Sequence, residues 1–211
     1  GWDYMRRLLT GAKADEPQLP PPAVLRKILI ELGPVYVKLG QLLSTRPDLL
    51  PGEYIEELST LQDDVPPVPW SEIDVMIRQQ LKQPLEETFA TINLQPVAAG
   101  SIAQTHRATL ANGREVALKV QRPGIDAIVA RDISLIKGVA DLVALTEFGQ
   151  DYDIRSLAEE FSTALEAELD FSREAGFTDQ LRRNLSSSRW FDPSQLVVPE
   201  IFWDLTTEKL L

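Results

Sequence analysis

The sequence predicts an α+β fold, a small antiparallel sheet set among long helices. Two observations predict it. Apolar residues recur at helical spacing from Ala23 to Leu81 and again from Ile125 to Asn184. Between these stretches lie two extended runs, Ile102 to Leu110 and Glu115 to Val120, joined by Asn112-Gly113, a pair suited to a type I′ hairpin turn. At 211 residues the chain has room for one or two domains and for a sizeable core.

Composition narrows the function classes. A net charge of -11 argues against nucleic acid as a partner, because phosphate backbones require a basic face. With no cysteine there are no disulfides or thiolate metal sites, and the single histidine, His106, cannot form a histidine metal cluster and reads as an ordinary packed residue. No apolar run approaches the roughly 18 residues that span a bilayer, and no signal peptide opens the chain, so an intracellular location is expected.

Taken in order, residues 1–22 read as a tail or linker, with a short aromatic and basic start, Trp2 to Leu9, and three consecutive prolines. Ala23 to Leu32 reads as a helix with Val24, Ile28 and Leu32 repeating at four, and Gly33-Pro34 breaks it and starts the next, Pro34 to Ser44. In that second helix Lys38 and Gln41 share a face. Gly40 between them costs about 1 kcal/mol relative to alanine, which a close backbone contact would justify. Gly52 to Gln62 is a third helix with Tyr54, Leu58 and Leu61 inward. A proline-rich connector leads to a fourth, Ser71 to about Lys82, opened by a Ser71/Asp74 capping box and stopped by Pro84. Phe89 to Leu94 is the first strand.

In the strand Glu115 to Val120, alternation places Val116, Leu118 and Val120 on one face and Ala117 with Lys119 on the other. Ahead of the hairpin, Ala98-Ala99-Gly100-Ser101 has so little side-chain bulk that its N–H groups could approach a phosphate. Loop, strand, turn and lysine strand in this order form the first half of a protein-kinase-like N-lobe, in which the strand lysine holds nucleotide phosphates and pairs with a helix glutamate. The glycine-rich loop of ordinary kinases is absent. A helix from Ile125 to about Thr146, with Asp126, Arg131, Asp132 and Lys137 outside, is an insertion. A second, Ile154 to about Asn184, carries Glu159, Glu160, Glu166, Glu168 and Asp170, and spacing alone does not choose between Glu166 and Glu168 as the partner of Lys119. Leu196 to Trp203 and Thr206 to Leu211 are two further strand-like runs.

AAGSIAQTHRA followed by VALKVQRPG, with KLGQLLSTRPDLLP upstream and ELDFSREA downstream, resembles the UbiB/ADCK family of atypical protein-kinase-like proteins. The resemblance runs from about Ala23 to Leu211. It implies a kinase-like N-lobe over 85–211, with an antiparallel five-stranded sheet, an αC-type helix and a helical insertion at about 125–150. An all-helical K-x-G-Q extension would occupy 23–84, and the C-lobe would be absent.

The resemblance also implies site roles. Lys119 and Glu168 are catalytic, with Glu168 orienting the lysine. Ala98, Ala99, Gly100, Ser101 and Ala117 line the nucleotide with Lys119. Lys38 and Gln41 close the cleft, with Asp170 facing Lys38. The implied cofactor is ATP or ADP with magnesium, whose ligands are expected in the missing C-lobe, since the chain lacks H-x-D and D-F-G. The implied function is that of the ATP-binding half of a kinase or ATPase supporting biosynthesis of an isoprenoid quinone such as ubiquinone or plastoquinone. Lipid-quinone intermediates or quinone-pathway proteins are its partners, at a peripheral membrane surface, and the 211 residues alone are catalytically incomplete. The alternative is a non-enzymatic interaction scaffold for quinone-pathway proteins. Gly100 stands where the family more often has alanine, so a shifted nucleotide preference is expected.

Overall fold

The computed structural model describes residues 19–61, 65–146, 149, 151–189 and 191–211. The expected docking start at Trp2 to Leu9 lies outside the described residues. The chain divides after Gln62 into two compact units, so the boundary expected near Leu85 falls earlier. The reason is the fourth helix, whose apolar face forms part of the core under the sheet.

In the first unit, α1 (Pro22–Leu32), α2 (Pro34–Leu43) and α3 (Gly52–Ser59) enclose a core of Leu29, Val37, Leu58 and Leu61. Gly33 takes φ 113, a left-handed value that lets α1 stop and Pro34 start α2 in the next residue. The repeat Val24, Ile28 and Leu32 stays exposed, while Leu29 is buried. Gly40 is required for packing: a Cβ there would run into the side chains of Leu61 and Leu29, so the close neighbours are side chains where a backbone was expected. Tyr54 donates its hydroxyl to the carbonyl of Pro20 at 3.0 Å, and Arg26 pairs with Glu57 at 2.6 Å.

The second unit has a helical layer behind a twisted sheet. α4 (Trp70–Gln80) presents Ile73, Met76 and Ile77, and α5 (Leu85–Thr88) presents Leu85, to a core completed by Phe89, Ala108, Leu110, Leu118, Val120 and Leu210. The capping box expected at Ser71/Asp74 does not form, because Pro69 occupies the N-cap; Asp74 instead accepts from Arg78 at 2.9 Å.

The described residues form four strands where five were expected: β1 (Phe89–Ile92), β2 (Ala98–Ala99), β3 (Ala103–Leu110) and β4 (Glu115–Gln121). β1 and β2 both pair with β3 and are two pieces of one interrupted edge, joined across the gap by Asn93 N–H to Arg107 O and Val97 N–H to Thr105 O, each 2.8 Å. The hairpin between β3 and β4 is longer than the two-residue turn expected. Leu110 N–H donates to Arg114 O, and Gly113 at φ 85 closes a three-residue loop. The runs expected as the last two strands contribute one isolated bridge, Val120 to Leu210. Thr207 Oγ1 accepts from the N–H groups of Lys209 and Leu210 and curls this segment, leaving only its last residues alongside β4.

The insertion is α6 (Ile125–Val143), which packs on α7 (Ile154–Glu168) and buries Val129, Ile133, Ile136 and Ala140. Asp132, expected outside, is 2% exposed; its Oδ1 accepts from Arg131 at 2.8 Å and its Oδ2 has no partner. The long helix expected from Ile154 to Asn184 is two helices, because Leu169 ends α7 and Asp170 caps α8 (Phe171–Ser186), accepting from Ser172 N–H at 3.0 Å.

The sheet interior holds a buried polar chain. Gln104 accepts from Val68 N–H at 2.9 Å and donates to His106 Nε2 at 2.8 Å, and His106 Nδ1 donates to Asn93 O at 2.7 Å across the break in the edge strand. A carbonyl only accepts, so His106 carries its proton on Nδ1. Replacing Gln104 by leucine strands the Val68 amide and the imidazole, and is expected to cost about 2–4 kcal/mol of stability in urea unfolding, two unmet buried groups at about 1–2 each.

Lys209 reaches Asp126 at the start of α6 at 2.8 Å. Its ammonium, helped by the Ala127 N–H, holds the Asp126 carboxyl below the usual aspartate range. A depressed carboxylate stabilises the fold above its unfolded pKa, about 4, and that contribution disappears as pH falls through the lower folded value. Urea unfolding of wild type and Asp126→Asn from pH 7 downward should therefore show a gap that is constant above about pH 5 and closes as the solution becomes more acid than about pH 4.

Candidate functional site

The site is built on the alternation of β4. Leu118 and Val120 face the core, and Ala117, Lys119 and Gln121 face the other way. Pairing sets the neighbours of the lysine: Lys119 lies opposite Thr105 on β3, and Thr105 opposite Ala98 on β2. Directly paired antiparallel residues point to the same side, so Ala98, Thr105 and Lys119 form one row across the sheet, with β2 and β4 about 10 Å apart. The backbone of Lys119 is held on its second edge by Leu211, with N–H to O at 2.6 Å and the return bond at 2.9 Å.

The side chain of Lys119 ends between two groups of α8. Its Nζ donates to Glu174 Oε2 at 2.5 Å and lies 4.7 Å from the centre of the Phe171 ring. Phe171 is 1% exposed, and its N–H donates to Glu208 O at 3.0 Å, so the ring is a fixed support for the ammonium. Lys119 is 32% and Glu174 47% exposed at the side chain. An ammonium carries three donors, and with one committed to Glu174 the others can meet phosphate oxygens.

Glu174 is the carboxylate seen to meet Lys119. Glu168 was expected to answer Lys119, but it is the last residue of α7, on the far side of the break at Leu169 and Asp170, while Glu174 lies in the first turns of α8 beside the lysine. The missed signal is local. Reading Asp170 as an N-cap, with Ser172 two residues on, divides the acidic run and makes Glu174 the first carboxylate of a new helix. Asp170 itself serves as that cap.

The small-residue loop is more ordered than its composition suggested. Ala98 and Ala99 pair with β3, Gly100 N–H donates to Ala103 O at 2.8 Å, and Gly100 O accepts from the Arg122 guanidinium at 2.8 Å. Arg122 also donates to Pro66 O at 2.7 Å, tying this hairpin to the proline-rich connector. The Ser101 hydroxyl is enclosed and has no partner. Ala117 is exposed on the row next to Lys119. In the first unit Lys38 is half-buried, and Gln41 donates to Leu61 O at 3.1 Å, linking α2 to the end of α3. Among the described residues no group of three histidines or carboxylates gathers to hold a metal ion, and no helix is long and apolar enough to cross a membrane.

The model of a family described as the ABC1 atypical kinase-like domain matches residues 60–211. An uncharacterized protein of Synechocystis sp. is 59% identical over all 211 residues, which make up 52% of its own length. A probable protein kinase UbiB of Cellvibrio japonicus is 41% identical over 93% of the chain and 35% of its own length, and the chloroplastic protein ACTIVITY OF BC1 COMPLEX KINASE 3 of Arabidopsis thaliana is 40% identical over 89% and 26%. Among solved structures, a Mycobacterium tuberculosis protein in complex with erythromycin aligns with TM-score 0.55 and 30% identity, over 87% of this chain and 45% of that one. The chain thus spans about half, or less, of the length of the proteins it matches.

Because both members of the Lys119–Glu174 pair are partly solvated, Glu174→Gln is expected to lower stability by only about 0.2–1 kcal/mol in urea unfolding. A much larger loss would mean that the carboxylate has a structural duty beyond the lysine.

Proposed function

The chain belongs to the ABC1 atypical kinase-like family, and we propose that it is the nucleotide-binding half of an atypical kinase or ATPase acting in isoprenoid quinone biosynthesis. One observation carries the reading: a strand lysine held at 2.5 Å by a helix glutamate, on a sheet face beside a hairpin of small residues. This is the arrangement in which kinase-like folds grip nucleotide phosphates. The relatives named as UbiB and as a bc1 complex kinase support it.

In this reading ATP or ADP lies against the Ala98–Thr105–Lys119 row. Lys119 donates to oxygens of the α and β phosphates. Glu174 and the Phe171 ring hold the ammonium in place, so that binding does not have to order a long flexible side chain. Ala98, Ala99, Gly100 and Ser101 form the roof, and Ala117 leaves room beside the lysine. Magnesium would neutralise phosphate charge when bound. Among the described residues no group of three histidines or carboxylates gathers to hold it, and the resemblance implies that its ligands lie outside these 211 residues. Nucleotide binding, rather than complete phosphoryl transfer, is the activity assigned to these 211 residues. The resemblance adds that the whole protein works at a membrane surface on lipid-quinone intermediates or with quinone-pathway proteins.

The test is thermal unfolding of this chain with and without ATP or ADP. Nucleotide is expected to raise the Tm, and Lys119→Ala to abolish the rise while leaving the ligand-free Tm within a few degrees, the size of shift a loss of about 1 kcal/mol produces. A folded wild type that neither nucleotide stabilises would overturn the reading and favour a non-enzymatic scaffold.

A further inference from the structure

The pair Lys119–Glu174 joins two elements, β4 and α8, and its geometry depends on where α8 begins. We infer that Gln121 is a positioning residue for this pair: its side-chain amide fixes the joint between α7 and α8 and thereby sets Glu174 against Lys119. The assignment rests on the nucleotide-binding reading for its functional consequence, although the positioning itself does not require a ligand.

Gln121 follows Lys119 by two residues on β4 and points to the same side of the strand. It is 1% exposed, an unusual setting for a glutamine unless its polar atoms are engaged. Its Nε2 donates to the carbonyl of Leu169 at 2.8 Å. Leu169 is the C-cap of α7, and a helix leaves its last carbonyls without intrahelical donors, so the amide supplies a partner that the helix cannot. The backbone of Gln121 is held in turn, its N–H donating to Lys209 O at 3.0 Å.

The consequence for the site follows from helix geometry. Asp170 caps α8 immediately after Leu169, and Glu174 lies four residues further on, about 6 Å along the axis at 1.5 Å per residue. Such a short, capped helical turn transmits any displacement of the joint to Glu174. A second tie, Phe171 N–H to Glu208 O at 3.0 Å, holds the same turn from the segment that runs beside β4. Both ties lead back to the strand that carries the lysine, so the glutamate-bearing helix is held in the paired position by the fold itself, with no ligand or activating event needed.

Gln121→Met keeps the length and most of the volume while removing the donor. Two measurements on this chain decide the matter. First, the coupling between Lys119→Met and Glu174→Gln is obtained from a double-mutant cycle by urea unfolding, in wild type and in Gln121→Met. Second, the ATP dissociation constant is measured by calorimetric titration. The coupling is expected to vanish in Gln121→Met, and ATP affinity to fall about threefold to tenfold, the range that corresponds to one hydrogen bond. If Gln121→Met does not fold, Gln121→Asn, whose amide falls one methylene short, replaces it in both measurements. A coupling that survives unchanged, whatever happens to overall stability, shows that Gln121 only fills space and overturns the inference. Because the cycle contains no nucleotide, it tests the positioning role even where wild-type protein fails to bind ATP, an outcome that defeats the nucleotide reading by itself.

Discussion

The two-faced character of β4 is the constraint on which the rest of the second unit depends. Successive side chains of a strand point to opposite sides, so the residues that anchor the strand in the core also determine what stands on its other face. Leu118 and Val120 lie against Ile73, Met76 and Ile77 of α4. A slip of one residue would expose both to solvent and turn Lys119 and Gln121 into the core, a change that hydrophobic burial forbids. The lysine is therefore aimed by packing that takes place behind it.

Everything in front of the strand serves to hold that aim. Leu211 closes two main-chain hydrogen bonds on Lys119, Phe171 puts an aromatic ring near its ammonium, and Glu174 accepts from it. The pair is partly solvated and contributes little to stability, whereas Phe171 and Gln121 beside it are buried. Such a division suits a ligand site: the reactive ends stay accessible and their supports are immobilised. The edge strand shows the same economy, since at its interruption between Ile92 and Ala98 the Asn93 carbonyl is held by His106, which Gln104 supports from within the sheet.

Much of this was legible in order along the chain. The helices of the first unit, the hairpin from β3 to β4 and the inward and outward faces of β4 all follow from periodicity and from Gly and Pro positions. The errors have local causes. Asn112-Gly113 suggested a two-residue turn, but the pairing of Leu110 with Arg114 adds a residue, a choice of register that depends on both strands. The acidic stretch after Ile154 looked like one helix because Asp170 is compatible with a helix interior by composition, whereas its side chain accepts from Ser172 and caps a new helix. Asp132 looked like a surface residue because the sequence cannot tell which arc of α6 is buried.

What the sequence by itself determined is which side chains share a face, because strand and helix periods are properties of the local backbone: Lys119 with Ala117, Ile73 with Ile77, the small residues ahead of β3. What only the tertiary structure decided is which carboxylate, of several along the same acidic run, meets the lysine. That choice depends on where a helix breaks and on how its next turn is tied to a strand some fifty residues earlier, through Gln121 to Leu169, and to a segment later in the chain, through Phe171 to Glu208. Contacts of that kind are settled by the packing of distant elements, and no local period encodes them.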